Sequence, residues 1–145
     1  MGHRMAVAVC ALLGLLVSAY LLLYKLGALG RIMCAGGGGC ERVQLSRWSV
    51  IFGVPVAAYG VGGYLLLLVI ALVGLRPDRL ADPAPTRWLA GLSTLGLLFS
   101  LYLLGVELLS IHAICLWCTA SGVLILAIFA VSSAALLGSS RAPAP

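Results

Sequence analysis

Charge is what this sequence has least of. Only 9% of its 145 residues are Asp, Glu, Lys or Arg, against 63% hydrophobic. An ordinary soluble domain is about a quarter charged and about half apolar. A chain of this length cannot hide so much apolar surface in one core, so lipid must solvate most of the side chains. The net charge of +5 does not point to nucleic acid. The arginines lie in short segments between apolar runs, where they suit anionic headgroups and set topology. No internal repeat is present. A small-x-small cleavage site after the first apolar run is also lacking, so the opening Met1-Gly2-His3-Arg4 begins a retained helix rather than a signal peptide.

What the sequence does have is apolar runs. A helix crosses the hydrocarbon core with about 20 apolar residues. Runs at about 5–24 and 50–75 are closed by Lys25 and Arg76. After Arg87 comes a stretch too long for one crossing. Glu107, Ser110 and His112 divide it into spans of about 88–109 and 113–137, with a tight turn near Ser110 to His112. The expected fold class is an all-α integral membrane protein, a four-transmembrane-helix bundle in a single membrane domain over residues 1–145. Gly14 with Ser18, and Gly53 with Ala57, are small-residue pairs that let helices approach closely. Pro55 suits the first turn of the second span. The connector 76–87 is hydrophilic, and the tail 138–145 is expected to be disordered. Arg4, Arg76, Arg79, Arg87 and Arg141 fall on one side of such a bundle, and Lys25, Arg31, Arg42 and Arg47 on the other. That narrow excess favours a cysteine loop outside the cytoplasm.

The loop at 25–49 carries Cys34-Ala35-Gly36-Gly37-Gly38-Gly39-Cys40. A glycine run disfavours helix and makes the loop pliable. It lets the two sulfurs meet, and equally lets them part. Beyond Cys40, Val43, Leu45, Trp48 and Ile51 alternate with polar residues, as in a short interfacial helix with Arg47 and Trp48 at headgroup level. Cys115-Leu116-Trp117-Cys118 opens the fourth span. On a helix its two sulfurs share one face, and a helix start stabilises a thiolate. Taken alone this motif is a redox pair, half of a metal site, or two buried thiols. Four spans put both pairs on one side of the membrane. A mobile dithiol beside a dithiol at a helix start is what an electron relay requires. A four-thiolate zinc site competes with that reading, but a glycine-rich spacer is a loose clamp for a metal. Cys10, inside the first span, reads as a small buried hydrophobe.

Cys34…Cys40, Ser46-Arg47-Trp48, Phe52-Gly53-Val54-Pro55 and Glu107…His112-Ala113-Ile114-Cys115-Leu116-Trp117-Cys118, in this order and spacing, resemble the vitamin K epoxide reductase family in its bacterial form. The resemblance covers most of the chain. A DsbB-like protein has similar chemistry but places its C-x-x-C before its loop pair. The resemblance implies a bundle around a quinone pocket, with ubiquinone or menaquinone as acceptor and no metal. It implies that Cys34 exchanges with a partner, Cys40 with Cys115, and that Cys118 faces the quinone. Ser46 matches a loop serine or threonine linked to the active site. The implied donor is a thioredoxin-like, DsbA-like protein that oxidises exported proteins. Because the chain ends soon after the fourth span, with no fused thioredoxin-like domain, that donor is expected to be separate. The implied location is the bacterial inner membrane, with the active site on the extracytoplasmic face. Animal members carry an asparagine near the Phe-Gly motif and a tyrosine where Gly122 stands here; both help hold the substrate. Their absence favours a respiratory quinone over the epoxide.

Other residues are candidates for quinone binding or support. Glu107 is an ionisable group near the end of a span. His112, three residues before Cys115, shares its helix face if the helix has begun, and could assist proton transfer. Trp117 could wall the pocket or anchor the interface. Phe52, Tyr59 and Tyr64 could line the pocket or simply pack.

Overall fold

In the computed structural model of the protein, residues 1–35 and 37–141 are described. Four helices long and apolar enough to cross a membrane dominate. They are α1 (Gly2–Lys25), α3 (Val56–Gly74), α4 (Ala84–Val106) and α5 (Leu116–Arg141). A short helix α2 (Gly39–Leu45) lies between α1 and α3. The all-α, multi-pass architecture read from the apolar runs is the one observed.

The helices share one apolar core. Val7, Ala8 and Ala11 of α1 meet Tyr64, Leu67 and Ala71 of α3, Leu89 of α4, and Ile125 and Ile128 of α5. The leucines left outside, such as Leu16, Leu95, Leu98 and Leu101, are exposed to the surroundings of the bundle, as lipid-facing positions should be. Without a hydrophobic drive between helices in lipid, close packing and interhelical hydrogen bonds hold them together. Gly14 supplies the close packing, since a side chain there would overlap the Tyr64 ring. The Tyr64 hydroxyl donates to the Ser121 carbonyl at 2.6 Å, tying α3 to α5. Ser18 packs against Gly60 of α3. The Gly14–Ser18 pair therefore faces α3, as its spacing indicated.

Three features differ from the sequence reading. The second span does not begin at Val50. Val50–Ile51 (β1) and Val54–Pro55 (β2) pair antiparallel, with Val50 opposite Pro55 and Ile51 opposite Val54. The Phe52-Gly53 turn between them has φ of 53° and 75°, the left-handed pair that a two-residue hairpin turn requires. Gly53 therefore serves a turn and not a helix–helix contact, and Pro55 precedes α3 as its cap residue. The second correction concerns the tail. Residues 138–141 continue α5, with the Ser139 and Ser140 hydroxyls bonded to the carbonyls of Leu136 and Leu137; residues 142–145 lie outside the described part. The third concerns Arg4, which is not a headgroup arginine. It is only 4% exposed. Its guanidinium donates to the carbonyls of Gly74, Arg79 and Asp82 and to the Thr86 hydroxyl, and so satisfies the Gly74 carbonyl at the end of α3 and ties the connector to it.

At the opposite end, α4 runs into a π-helical turn, Glu107–Ile111, and His112 takes a left-handed conformation (φ 55°) that reverses the chain into α5. The turn falls where the sparse polar residues of the long apolar stretch placed it.

Candidate functional site

The 25–49 loop, the hairpin and the α4–α5 turn gather at one end of the bundle, and all four paired cysteines are there. Cys34 is bonded to Cys40 and Cys115 to Cys118. Cys10 is free and packs against the apolar core, but it is only partly buried, less than its sequence context suggested. Cys40 and Cys115, one from each pair, are both 0% exposed and share a buried cluster with Val43. Cys34 and Cys118 flank that cluster, partly buried.

Local structure explains this placement. Gly38, at φ 84°, starts α2 at the fourth residue of the glycine run; Gly36 lies outside the described residues. Gly39 lies so close to the Ile114 carbonyl that a Cβ would overlap it. The backbone of α2 can therefore sit directly on the turn that leads into Cys115. Cys115 precedes α5 as its cap. Its sulfur accepts the backbone N–H of Cys118 at 3.2 Å, and its carbonyl accepts that of Thr119 at 2.9 Å. The Cys115 N–H donates to Glu107 Oε2 at 3.1 Å. Glu107, 4% exposed, thus closes the helix start from the π-turn.

On the bundle side, Cys118 and Thr119 line a cavity of about 600 Å³ between α3, α4 and α5. Its walls are largely apolar, among them Leu67, Leu92, Phe99 and Ile125, with Tyr59, Tyr64, Glu107 and a few hydroxyl residues such as Ser100 and Thr119 as polar groups. Leu66, Leu95 and Leu101 line it and are also exposed, so it is continuous with the lipid-facing surface. Its volume is that of ordinary ligand sites, about 300–1,000 Å³. A flat, apolar quinone ring with a lipid tail fits these residues: apolar walls, lateral access from lipid, a redox sulfur at the edge and a few polar groups.

The named candidates divide. Tyr59 lines the cavity, with its hydroxyl donating to the Ile51 carbonyl at 3.0 Å, and so does Glu107. Phe52 stands at the hairpin tip, 96% exposed. His112 is exposed in the turn, lining a shallow groove with Gly37, Gly39 and Arg42. The helix has not begun at His112, so it does not share a helix face with Cys115. Ser46 caps the end of α2 by donating to the Val43 carbonyl at 2.7 Å. Trp117 points to the loop instead of the cavity. Its indole N–H donates to the Met33 carbonyl at 2.6 Å, and its ring packs on Tyr20 at 5.2 Å. The Tyr20 hydroxyl in turn accepts the Met33 N–H at 2.9 Å. Met33, the neighbour of Cys34, is held on both sides.

Several residues here escaped the sequence reading. Lys25 donates to the Gln44 carbonyl at 2.6 Å and to the Ser49 hydroxyl at 2.7 Å, and Ser49 also donates to the Gln44 carbonyl. The buried Gln44 side chain donates from Nε2 to Cys118 Sγ at 3.7 Å. The one available signal was a polar residue on the buried face of a short amphipathic element. Among the described residues, no group of three or more His, Cys, Asp or Glu side chains is placed to hold a metal ion.

The sequence model of the vitamin K epoxide reductase family matches residues 5–133. That match takes in all four membrane helices but for the ends of the first and last, together with both cysteine pairs. The chain belongs to the vitamin K epoxide reductase family, and as such is a quinone-linked thiol–disulfide oxidoreductase of the membrane.

Proposed function

We propose that the protein passes electrons from a reduced thioredoxin-like or DsbA-like partner to a membrane quinone, ubiquinone or menaquinone, through Cys34–Cys40 and then Cys115–Cys118. One observation carries this reading. The second disulfide has one end, Cys115, buried with Cys40, and the other end, Cys118, on the cavity wall. It therefore touches the loop pair and the cavity at once.

The steps follow from accessibility. Cys34, the less buried sulfur of the loop pair, takes the partner's thiolate, and Cys40 leaves as a thiolate. The partner's second thiol closes its own disulfide and releases Cys34. Cys40 then attacks Cys115, and the electron pair of the Cys115–Cys118 bond stays on Cys118. Cys34 resolves the Cys40–Cys115 bond, which restores the loop disulfide and frees Cys115. A bound quinone would supply a two-electron, two-proton acceptor for this dithiol, and Cys118, Tyr59 and Glu107 are the residues that would meet it. Glu107 fixes the start of α5, so that both sulfurs keep their positions through the cycle. Arg4, though buried, keeps its charge at the connector end of the bundle, and the resulting excess of one cationic residue on that side supports an extracytoplasmic cysteine end, in a bacterial inner membrane, supplying disulfides to exported proteins.

A second reading, reduction of vitamin K quinone or its epoxide as such, is favoured by the family match itself. It uses the same sulfurs and differs in what occupies the cavity. Purified protein in detergent, given reduced partner, is expected to reduce a soluble quinone, and Cys118→Ser to abolish this. Undiminished turnover in Cys118→Ser sinks the electron path. Reduction of the epoxide at a rate matching the quinone would move the assignment to the second reading.

A further inference from the structure

We infer that Gln44 is a specific stabiliser of the Cys118 thiolate, a donor that α2 places on the sulfur that must carry charge when the second disulfide opens. The inference rests on the electron path proposed above.

The two sulfurs of the C-x-x-C are served differently. Cys115 caps α5 and receives a backbone N–H, that of Cys118. Cys118 sits one turn in, where backbone N–H groups are already used. Its own goes to Cys115 Sγ, and that of Thr119 to the Cys115 carbonyl. Nor does the neighbouring Thr119 hydroxyl help, since it donates to the Cys115 carbonyl. The donor that does reach Cys118 Sγ is the Gln44 amide, at 3.7 Å. When Cys40 attacks Cys115, the Cys40–Cys115 bond forms, the Cys115–Cys118 bond breaks, and the electron pair remains on Cys118. In that partly buried, largely apolar setting a hydrogen bond to the new anion counts for more than the contact to the neutral disulfide, since bonds to charged groups are the stronger ones.

The placement of Gln44 is built. Its carbonyl is held by Lys25 and Ser49, and the Ser46 cap fixes the adjacent Val43 carbonyl. The end of α2 is thereby anchored to the end of α1, with the side chain left to face the sulfur. The position also couples the pairs. Gln44 lies one helical turn after Cys40, so the helix that delivers the nucleophile also carries the donor for the leaving group. Among the described residues, the other ionisable groups near Cys118 include Glu107, Tyr59 and Tyr64 on the cavity wall, Tyr20 against Trp117, and Lys25 on the Gln44 carbonyl.

The test uses the full chain carrying Cys34→Ala, Cys40→Ala and Cys115→Ala, which leaves Cys118 as the one remaining sulfur of the two pairs. Alkylation of Cys118 by iodoacetamide is followed at neutral pH by peptide mass spectrometry, with Gln44 or with the nearly isosteric Gln44→Met. A hydrogen bond to a charged group changes an equilibrium by about tenfold or more. Part of the lost thiolate population is offset by the greater nucleophilicity of a more basic thiolate, with a Brønsted slope of about 0.4–0.5. The expected result is alkylation about threefold slower in Gln44→Met. Simple loosening of α2 would expose the sulfur and speed the reaction, so an unchanged or faster rate overturns the inference. If Gln44→Met does not survive purification, Gln44→Leu is read in the same way. Quinone reduction by Cys118→Ser tests the underlying electron path separately. Its persistence would remove that path, whereas a flat alkylation rate removes only the role of Gln44.

Discussion

Glu107 offers the sharpest separation between an acceptor that holds a helix start and a carboxyl that acts by its charge. Its Oε2 takes the N–H of Cys115 at 3.1 Å, and Cys115 is fully buried. Glu107→Ala leaves that buried N–H without its acceptor. An orphaned buried donor costs about 1–3 kcal/mol, or about 5–150-fold in a local opening equilibrium. Glu107→Gln keeps a carbonyl oxygen within reach and gives up only the extra strength of a charged acceptor, about 1 kcal/mol. Amide hydrogen exchange at Cys115 in detergent measures this directly. The Ala variant is expected to exchange faster by about 5–150-fold, and the Gln variant by about fivefold or less. Thiol oxidation of the partner should fall in the same order. Equal protection in wild type and Glu107→Ala would refute the helix-start role. Equal damage in Ala and Gln would assign Glu107 a function of its charge or proton instead.

Other consequences are as concrete. Trp117→Ala removes both the indole bond to the Met33 carbonyl and the Tyr20 packing, together worth about 1.5–2.5 kcal/mol. Reduction of Cys34–Cys40 by a small dithiol is expected to quicken by about tenfold, read by mass spectrometry of trapped thiols. Gly39→Ala drives a methyl into the Ile114 carbonyl and lifts α2 from the turn. Electron transfer between the pairs should slow by about tenfold or more, whereas Gly30→Ala, which meets nothing, should match wild type in the same stopped-flow trace. Gly122 lines the cavity, and a side chain begun there meets only Ser100 Cβ, at 4.0 Å. Gly122→Phe should therefore fold and fill the cavity, raising KM for a soluble quinone while leaving exchange between partner and Cys34 intact.

Much of this molecule was legible because lipid imposes a simple code. Long apolar runs closed by Lys25, Arg76 and Arg87 could only be spans, and their number put both cysteine pairs at one end. Local backbone chemistry was harder to read. Val50–Pro55 is apolar enough to pass for helix, and the hairpin depends on Phe52 accepting a left-handed conformation that bulky residues rarely adopt. Arg4 resembled every other flanking arginine, and only tertiary structure brings three carbonyls and a threonine to it. In the site, the cysteines announced themselves by spacing. Glu107 could be named but not given a partner, because its bond to Cys115 depends on a π-turn with no sequence signal. Gln44 and Lys25 act through contacts between α1, α2 and α5, which no spacing rule joins.

The central claim is that the two disulfides work in series through Cys40 and Cys115. A chain carrying Cys34→Ala and Cys118→Ala retains only those two of the four sulfurs, and they lie in tryptic peptides on opposite sides of the sequence, ending at Arg42 and Arg141. Mild oxidation followed by a non-reducing peptide map should recover these two peptides joined by a Cys40–Cys115 bond. Recovery of both as free thiols, or of either sulfur bonded to Cys10, would contradict the account.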